Sequence, residues 1–209
     1  MTRILTLLLT LALSGLAQAQ DGRQAWVDID PPQPTAYKDK VLVEEVFSYM
    51  CPHCNTFEPF IHEWEKNKPD YVVLERLPAE FNRRSWIPVA RMYYTAQILG
   101  VLEQVHPLIF KRIHQQRKFF RSEDDVVEFL AGFGLDEKKI RSTYNSFAVE
   151  TKLRRAQTLI SRYGVTGVPA VVVNGKYRTN ATLAQGYPNL IRTINQLAEK
   201  EARAMGILP

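Results

Sequence analysis

The residues most able to do chemistry in this 209-residue chain are its only two cysteines, in the run Cys51-Pro52-His53-Cys54. Two residues separate the thiols, a spacing at which cysteines form and break a disulfide. The thiolate is the reactive form of cysteine, so the reactivity of the pair depends on how strongly its surroundings favour the anion. The spacing alone leaves three interpretations open: a redox-active dithiol, a structural disulfide and part of a zinc site.

The zinc and structural interpretations are the weaker two. A structural zinc site needs about four ligands, usually with a second pair at short spacing. None of the four histidines forms such a pair near a second cysteine. A disulfide that closes so short a loop stabilises a protein by only about 2 kcal/mol in the chain-entropy model, and a chain of this length buries a full core without one. We therefore expect a redox-active dithiol and no metal site.

Two predicted elements position the cysteine pair. Residues 41–47 form a run of β-branched, apolar and aromatic residues that predicts a buried strand. Apolar residues then recur at helical spacing and predict a helix over about residues 54–67. Pro52 suits the first helical position, where its missing N–H would be unpaired anyway. Cys51 then lies at the helix N-terminus, where free N–H groups and the helix dipole favour a thiolate.

One acidic residue interrupts the predicted strand. Glu45 lies in a run that is otherwise mostly apolar. It is either a solvated carboxylate at the strand end or a buried carboxylate beneath the cysteine pair. In the buried case it could accept and pass protons during thiol exchange, and the residues alone leave both possibilities open.

Outside the cysteine motif, the sequence predicts a second strand, a long helical stretch and a final return to β structure. Residues 20–39, with three prolines, are expected to be irregular. Residues 71–77 predict the second strand, which completes a βαβ unit. Helical patterns follow from Pro88 onward; the later ones begin after Pro107 and after the capping residues Ser122, Asp136 and Ser146. Residues 170–173 predict a strand, Asn174-Gly175 a tight hairpin, residues 176–178 the returning strand, and a last helix starts near Pro188.

The first 19 residues have the pattern of a secretory signal peptide. Arg3 precedes an apolar run over residues 4–13, and Ala17-Gln18-Ala19 fits a cleavage site. The run is too short for a permanent bilayer anchor, although an uncleaved anchor is the alternative. About 190 residues remain, enough for one domain or one domain with an insertion. The net charge of +5 is spread along the chain, so we expect no nucleic-acid partner.

Two phrases together carry a family resemblance. The first ends in the cysteine motif, Glu45-Val46-Phe47-Ser48-Tyr49-Met50-Cys51-Pro52-His53-Cys54, and the second is Gly167-Val168-Pro169-Ala170-Val171-Val172-Val173-Asn174-Gly175-Lys176-Tyr177. They resemble the DsbA family of periplasmic thiol oxidases, and the likeness covers nearly the whole chain after the signal segment. It implies a thioredoxin-like α/β fold with an inserted all-helical domain. Residues 20–80 and 150–209 would form the thioredoxin-like part and residues 81–149 the insertion.

The resemblance also implies roles for the cysteine motif. Cys51 matches the exposed nucleophile that forms mixed disulfides with substrates, and Cys54 matches its buried partner. His53 matches the residue that stabilises the Cys51 thiolate, and Pro52 completes the motif.

Four further residues match positions around the family's active site. Pro169 matches a cis-proline that faces the cysteines, with Val168 offering its backbone to an extended substrate. Glu45 and Glu58 match acidic positions near the site, so we expect them to relay protons.

The function implied by the resemblance is oxidation of unfolded exported proteins in the periplasm. The Cys51–Cys54 disulfide would be the only redox group, without an added cofactor, and a membrane quinone-linked partner of the DsbB type would restore it in a monomeric enzyme. Two alternatives remain. A reductase or isomerase of the same fold is disfavoured because residues 20–40 are too short for the isomerases' dimerisation domain. A non-catalytic peptide-binding module with an incidental dithiol is the other.

Overall fold

A computed structural model describes residues 24–209 of the chain, so the predicted signal segment lies outside the described residues. The strands are β1 (Val27–Asp28), β2 (Val41–Phe47), β3 (Val72–Pro78), β4 (Ala170–Val173) and β5 (Tyr177–Thr179). The helices are α1 (Pro52–Asn67), α2 (Ile87–Ile98), α3 (Leu102–His114), α4 (Glu123–Ala131), α5 (Glu137–Tyr144), α6 (Phe147–Arg162) and α7 (Tyr187–Ala204). In this part of the chain no helix is both long and apolar enough to cross a membrane.

The strands form one mixed sheet with the order β1-β5-β4-β2-β3. Strand β2 runs parallel to β3 and antiparallel to β4, so it has hydrogen-bonded neighbours on both sides. All seven of its residues are buried. This position explains why residues 41–47 are so rich in apolar side chains, because a central strand covered on both faces has little contact with water. The strand ends directly before the cysteine motif.

The two faces of the sheet pack against different helices. Successive side chains of a strand point to opposite faces. Val41 and Val43 belong to one buried cluster with residues of α1 and α7, whereas Val46 belongs to a second cluster with residues of α2 to α6. Helices α2 to α6 therefore cover one face of the sheet, and helices α1 and α7 cover the other.

Between β3 and β4 the chain is helical. Helices α2 to α5 fall within residues 87–144, inside the predicted insertion of residues 81–149. Helix α6 begins at Phe147, three residues before the predicted return to the thioredoxin-like part. Ser122, Asp136 and Ser146 each accept a hydrogen bond from a backbone N–H in the first turn of their helix, as expected for capping residues.

Two expectations about single elements are wrong. Residues 20–39 are not wholly irregular, because Val27 and Asp28 form β1 at the sheet edge and pair antiparallel with β5. The second helix of the insertion begins at Leu102 and not after Pro107, which lies inside α3. Burial of Val105 and His106 in the core outweighs the hydrogen bond that Pro107 cannot donate.

Candidate active site

The cysteine motif occupies the junction between β2 and α1. Cys51 is the N-cap residue of α1 and has an extended backbone, and Pro52 fills the first helical turn. The Cys51 N–H donates to the Ser48 carbonyl at 3.0 Å, which closes a tight turn between strand and helix. No side-chain hydrogen bond caps the helix N-terminus, and the free N–H groups of a first turn favour an anion at the N-cap position.

Both cysteines are free thiols, and both are buried. Cys54 is fully buried, and Cys51 is only 7% exposed. The expectation of an exposed nucleophile therefore needs correction: the loop that contains Val168 lies against the Cys51 sulfur. In this reduced form the thiol donates to the Val168 carbonyl, with 3.4 Å between sulfur and oxygen.

The surroundings of Cys51 favour its thiolate. A hydrogen bond from the Cys54 thiol lowers the pKa of Cys51 most, and burial opposes it. Backbone N–H groups of Cys54 and His53 lower the pKa further, and the His53 charge adds a smaller effect. Together they bring the pKa of Cys51 from 9.0 to about 6. The Cys54 thiol and the backbone of the first helical turn thus lower the pKa of Cys51 more than the His53 charge does.

Cys54 behaves in the opposite way. Burial raises the pKa of Cys54 far above its ordinary value, and the hydrogen bond and negative charge of Cys51 raise it further. At neutral pH one thiol of the pair is therefore an anion while the other keeps its proton. Cys51 is therefore suited to attack a disulfide and to leave from one as a thiolate. Cys54 must instead receive a proton when it is released from a disulfide.

The segment around Val168 and Pro169, the second segment of the family resemblance, lies beside the cysteines. The Val168–Pro169 peptide bond is cis. A pocket of about 310 Å³ opens next to it, lined among others by His53, Gly167, Val168, Arg178 and Tyr187. The structure thus brings together the cysteine motif and the residues expected to hold a substrate.

Glu45 is buried, which decides between the two possibilities that the sequence leaves open. It is 1% exposed, and Arg76 Nε donates to its carboxylate at 3.0 Å. Arg76 also binds Glu65, with 2.7 Å between nitrogen and oxygen. Burial raises the pKa of Glu45 to about 7 although the Arg76 charge opposes the shift. Its carboxylate in turn helps to raise the pKa of Cys54.

Glu58 belongs to a neighbouring polar chain. Its carboxylate lies 3.3 Å from Nε2 of the buried His106, and Nδ1 of His106 lies 2.6 Å from the Tyr49 hydroxyl. Burial raises the pKa of Glu58 to about 7 and lowers the pKa of His106 to about 3. The imidazole is therefore neutral at physiological pH. A second histidine of α3, His114, lies 2.8 Å through Nε2 from the Tyr49 carbonyl.

Sequence reasoning missed several partners of these residues. Arg76 lies directly opposite Glu45 in the β2–β3 register, so knowledge of the strand pairing would have indicated the ion pair. Glu44, next along β2, is equally buried and accepts a hydrogen bond from the Tyr163 hydroxyl. His106 and Tyr49 are 57 residues apart, and no local pattern links them. Among residues 24–209 no group of three or more potential ligands could hold a metal ion.

Comparison with known proteins identifies the family. The sequence family described as a DSBA-like thioredoxin domain matches residues 72–190. The thiol:disulfide interchange protein DsbA of Pseudomonas aeruginosa is 40% identical over 205 residues, which are 96% of this chain and 97% of that protein. DsbA of Burkholderia cepacia is 37% identical over 201 residues, which are 93% of this chain and 94% of that protein.

Solved structures agree with the sequence matches. The crystal structure of Pseudomonas aeruginosa DsbA superimposes on this protein with a TM-score of 0.82 at 39% identity. The superposition covers 87% of this chain and 94% of the crystallised chain. The oxidoreductase DsbA from Xylella fastidiosa gives a TM-score of 0.78 at 29% identity, with 86% of this chain and 96% of that one covered.

These matches confirm the predicted thioredoxin-like α/β fold with its helical insertion. They also confirm the enzyme class, so the non-catalytic peptide-binding module is set aside, and a reductase or isomerase is the less supported alternative. The chain belongs to the DsbA family of thiol:disulfide oxidoreductases, and the Cys51–Cys54 pair is its redox-active group.

Proposed function

We propose that Cys51 is the sulfur through which this oxidoreductase introduces disulfide bonds into exported proteins. The observation that supports this role best is the difference between the two thiols. Burial and the Cys51 sulfur hold the proton on Cys54, whereas the pKa of Cys51 is lowered to about 6. A stabilised thiolate favours the reduced enzyme and makes its disulfide oxidising, an effect for which DsbA itself is the known example.

The exchange takes place in two steps. A substrate thiolate attacks the Cys51 sulfur of the enzyme disulfide, forms a mixed disulfide and releases Cys54, which takes up a proton. A second substrate thiolate then attacks the substrate sulfur, and Cys51 leaves as a stable thiolate. Two electrons pass from the substrate to the enzyme, so the substrate gains a disulfide and the enzyme becomes a dithiol.

We assign Glu45 and Glu58 to the proton transfer that the first step requires. Glu45 is close enough to Cys54 for its charge to raise the thiol's pKa. A carboxyl group with a pKa of about 7 both gives and accepts protons near neutral pH. Glu58 acts on Glu45 through its charge, because it helps to raise the pKa of Glu45.

The substrate binds across the loop that precedes β4. The Val168 backbone lies beside the Cys51 sulfur, so an extended segment that pairs with it brings its own cysteine within reach. The pocket next to Pro169 then accepts side chains that flank the substrate cysteine. In this role Val168 and Pro169 are binding residues.

The cellular setting completes the proposal. The enzyme acts as a monomer in the periplasm after residues 1–19 are removed, on unfolded exported proteins. A membrane quinone-linked protein of the DsbB type reoxidises the dithiol. Oxidising surroundings are consistent with a chain whose only cysteines form a redox pair.

The redox equilibrium of the pair with glutathione tests the function. We expect a markedly oxidising potential, well above that of thioredoxin, together with rapid oxidation of a reduced, unfolded test protein. The Cys51→Ser variant should lose this oxidation entirely. The Cys54→Ser variant, first joined at Cys51 to glutathione as a mixed disulfide, should exchange glutathione for a substrate thiolate and stay bonded to the substrate, because no second enzyme thiol can release it. A strongly reducing potential would turn the assignment toward a reductase.

A further inference from the structure

A tyrosine from the last helix reaches the active-site turn. Tyr187 is the first residue of α7, and its hydroxyl donates to the His53 carbonyl, with 3.1 Å between the oxygens. These residues are 134 positions apart in the chain. Within residues 24–209 this is the only hydrogen bond that the Tyr187 hydroxyl makes, and it joins the start of α7 to the first turn of α1.

The tyrosine ring is held independently of its hydroxyl. It stacks on Phe57, with 5.3 Å between ring centroids and 27° between ring planes. It also contacts Phe60, with centroids 5.5 Å apart. Phe57 is fully buried. Removing only the hydroxyl should therefore leave the ring in place, since aromatic stacking and burial hold it.

The preceding glycine makes this approach possible. Gly186 has a φ of +122°, a backbone conformation that other residues rarely adopt. Its N–H donates to the Ala181 carbonyl at 2.7 Å. The chain thus reverses sharply just before Tyr187 and directs the first residue of α7 toward α1.

The bonded carbonyl belongs to a peptide group in the first turn of α1, the helix that has Cys51 as its N-cap residue. The carbonyl of His53 and the N–H of Cys54 are the two ends of one peptide unit. The Cys54 N–H is one of the donors that lower the pKa of Cys51. A hydrogen bond accepted at the carbonyl end of an amide polarises the unit, so its N–H attracts a nearby anion more strongly.

We propose that Tyr187 is a positioning residue of the redox centre, whose hydroxyl polarises the His53–Cys54 peptide and so stabilises the Cys51 thiolate. The inference rests on the proposed role of Cys51 as the leaving thiolate. It adds a residue outside both the cysteine motif and the loop around Pro169. It also gives the junction between α1 and α7 a chemical effect in addition to packing.

The Tyr187→Phe variant tests this directly. It keeps the ring and removes the hydroxyl, so we expect the Cys51 thiolate to form at higher pH, measured by its absorbance near 240 nm in the reduced protein. The acid dissociation constant of the Cys51 thiol should fall about twofold, because polarisation strengthens an electrostatic interaction by only part of its energy. The glutathione equilibrium constant should move by the same factor, toward a less oxidising disulfide.

A matched control removes a different tyrosine hydroxyl. Tyr37→Phe deletes a hydroxyl that donates to Glu75 instead, and it should change neither the thiolate titration nor the glutathione equilibrium. The Tyr187→Leu variant also removes the aromatic ring and should shift the titration at least as far as Tyr187→Phe. If that variant does not fold, the phenylalanine variant still decides.

The outcomes separate this inference from the proposed function. An unchanged titration in Tyr187→Phe, with or without a lower melting temperature, would show that Tyr187 only packs and would overturn the inference. The titration needs no substrate, so it can be read even if the wild-type protein oxidises nothing, a result that would contradict the proposed function alone. A shifted titration with an unshifted glutathione equilibrium would also contradict the inference.

Discussion

The two cysteines differ chemically because they occupy different places in one helical turn. Cys51 lies at the helix N-terminus, where the Cys54 thiol and backbone N–H groups lower its pKa, whereas Cys54 lies in the core. The same turn thus favours an anion at one thiol and a proton at the other. Because the Cys51 thiolate exists only in the reduced protein, its stabilisation favours the reduced state relative to the disulfide.

This asymmetry predicts how the stability of the reduced protein depends on pH. The pKa of Cys51 is about 6 in the folded protein and about 8.5 in an unfolded chain. The thiolate's contribution is fully present above the unfolded pKa and is lost as the pH falls through 6. We expect the free energy of unfolding of reduced wild type, relative to reduced Cys51→Ser, to increase between pH 6 and 8.5. A flat difference in denaturant titrations would contradict a depressed thiol pKa.

A second prediction concerns the buried ion pair beneath the cysteines. Arg76→Met should cost about 3 kcal/mol of unfolding free energy at pH 8, because it leaves the buried Glu45 charge unpaired. The loss should shrink at pH 5, where Glu45 takes up a proton. The double variant Glu45→Gln, Arg76→Met should recover part of the stability. If the double variant is as unstable as Arg76→Met at pH 8, the arginine acts mainly through Glu65 or through packing.

At this scale the sequence indicates the reactive residues better than their surroundings. The spacing of the cysteines and Pro52 indicate the chemistry because both are local features. The burial of Glu45 is not local: it depends on Arg76 in the neighbouring strand and on the helices over the sheet. Glu44 is as deeply buried as Glu45, and nothing in the strand pattern separates the two carboxylates.

The elements around the site are joined by buried polar side chains as well as by apolar packing. Glu44 of β2 accepts a hydrogen bond from Tyr163, which directly follows α6. Burial raises the pKa of Glu44 to about 7, and the Tyr163 hydroxyl opposes part of that shift. Within the described residues, the other Glu44 oxygen has no hydrogen-bond partner. Ionisation of Glu44 therefore strengthens its hydrogen bond with Tyr163 but places a charge in a buried site, and the cost of burial is the larger effect.

The Glu44→Gln variant should make folding less sensitive to pH. Because the folded pKa is raised, the contribution of Glu44 to stability is fully present below pH 4.5 and is lost as the pH rises through 7. Glutamine does not ionise, so the variant should gain about 2 kcal/mol relative to wild type between pH 5 and 8. Parallel denaturant titrations at both pH values measure this, with Glu63→Gln as the exposed control on α1. An equal difference at both pH values would contradict the assignment.

Elements with local signals were predicted well, and those that depend on tertiary packing were not. The helix caps at Ser122, Asp136 and Ser146 were predicted because a capping side chain and its N–H partner lie within one turn. Strand β1 escaped prediction because two residues at a sheet edge carry no periodic pattern. The start of α3 was placed too late because burial of its first turns overrides the local effect of Pro107.

In the whole molecule, the sheet and the helical insertion share one core. The larger buried cluster contains Phe47 and Leu77 from the sheet together with Ile109, Phe110 and Leu130 from the insertion. Phe47 packs edge-on against Tyr93 of α2, with ring centroids 5.5 Å apart. A shared core of this kind couples the two parts, so neither should unfold while the other stays native.

Two tryptophans allow this coupling to be measured. Trp64 is buried in the cluster between α1 and α7, and Trp86 is buried at the start of the insertion. In variants in which Trp26 and one of these two tryptophans are replaced by phenylalanine, fluorescence should report the same denaturant midpoint for both positions. Two separated midpoints would show that the insertion unfolds on its own. Circular dichroism of the same samples checks that the substitutions leave the global transition unchanged.

The order of elements along the chain was enough to predict the architecture, but not how its parts meet. A βαβ unit, a helical stretch and a returning hairpin define the fold class through local patterns. The contacts between the insertion and the active-site turn join residues about 60 positions apart. Such contacts depend on how α3 packs against the end of β2, and sequence periodicity says nothing about that docking.

The two histidines of α3 connect the helical insertion to the loop that precedes the cysteines. His106 binds the Tyr49 side chain and His114 binds the Tyr49 backbone, two residues before Cys51. In a chimera, an insertion grafted from another protein without these histidines would leave the sheet and both thiols complete but remove the clamp on the connecting loop. Grafting experiments should therefore treat β2, the loop and α3 as a single cassette.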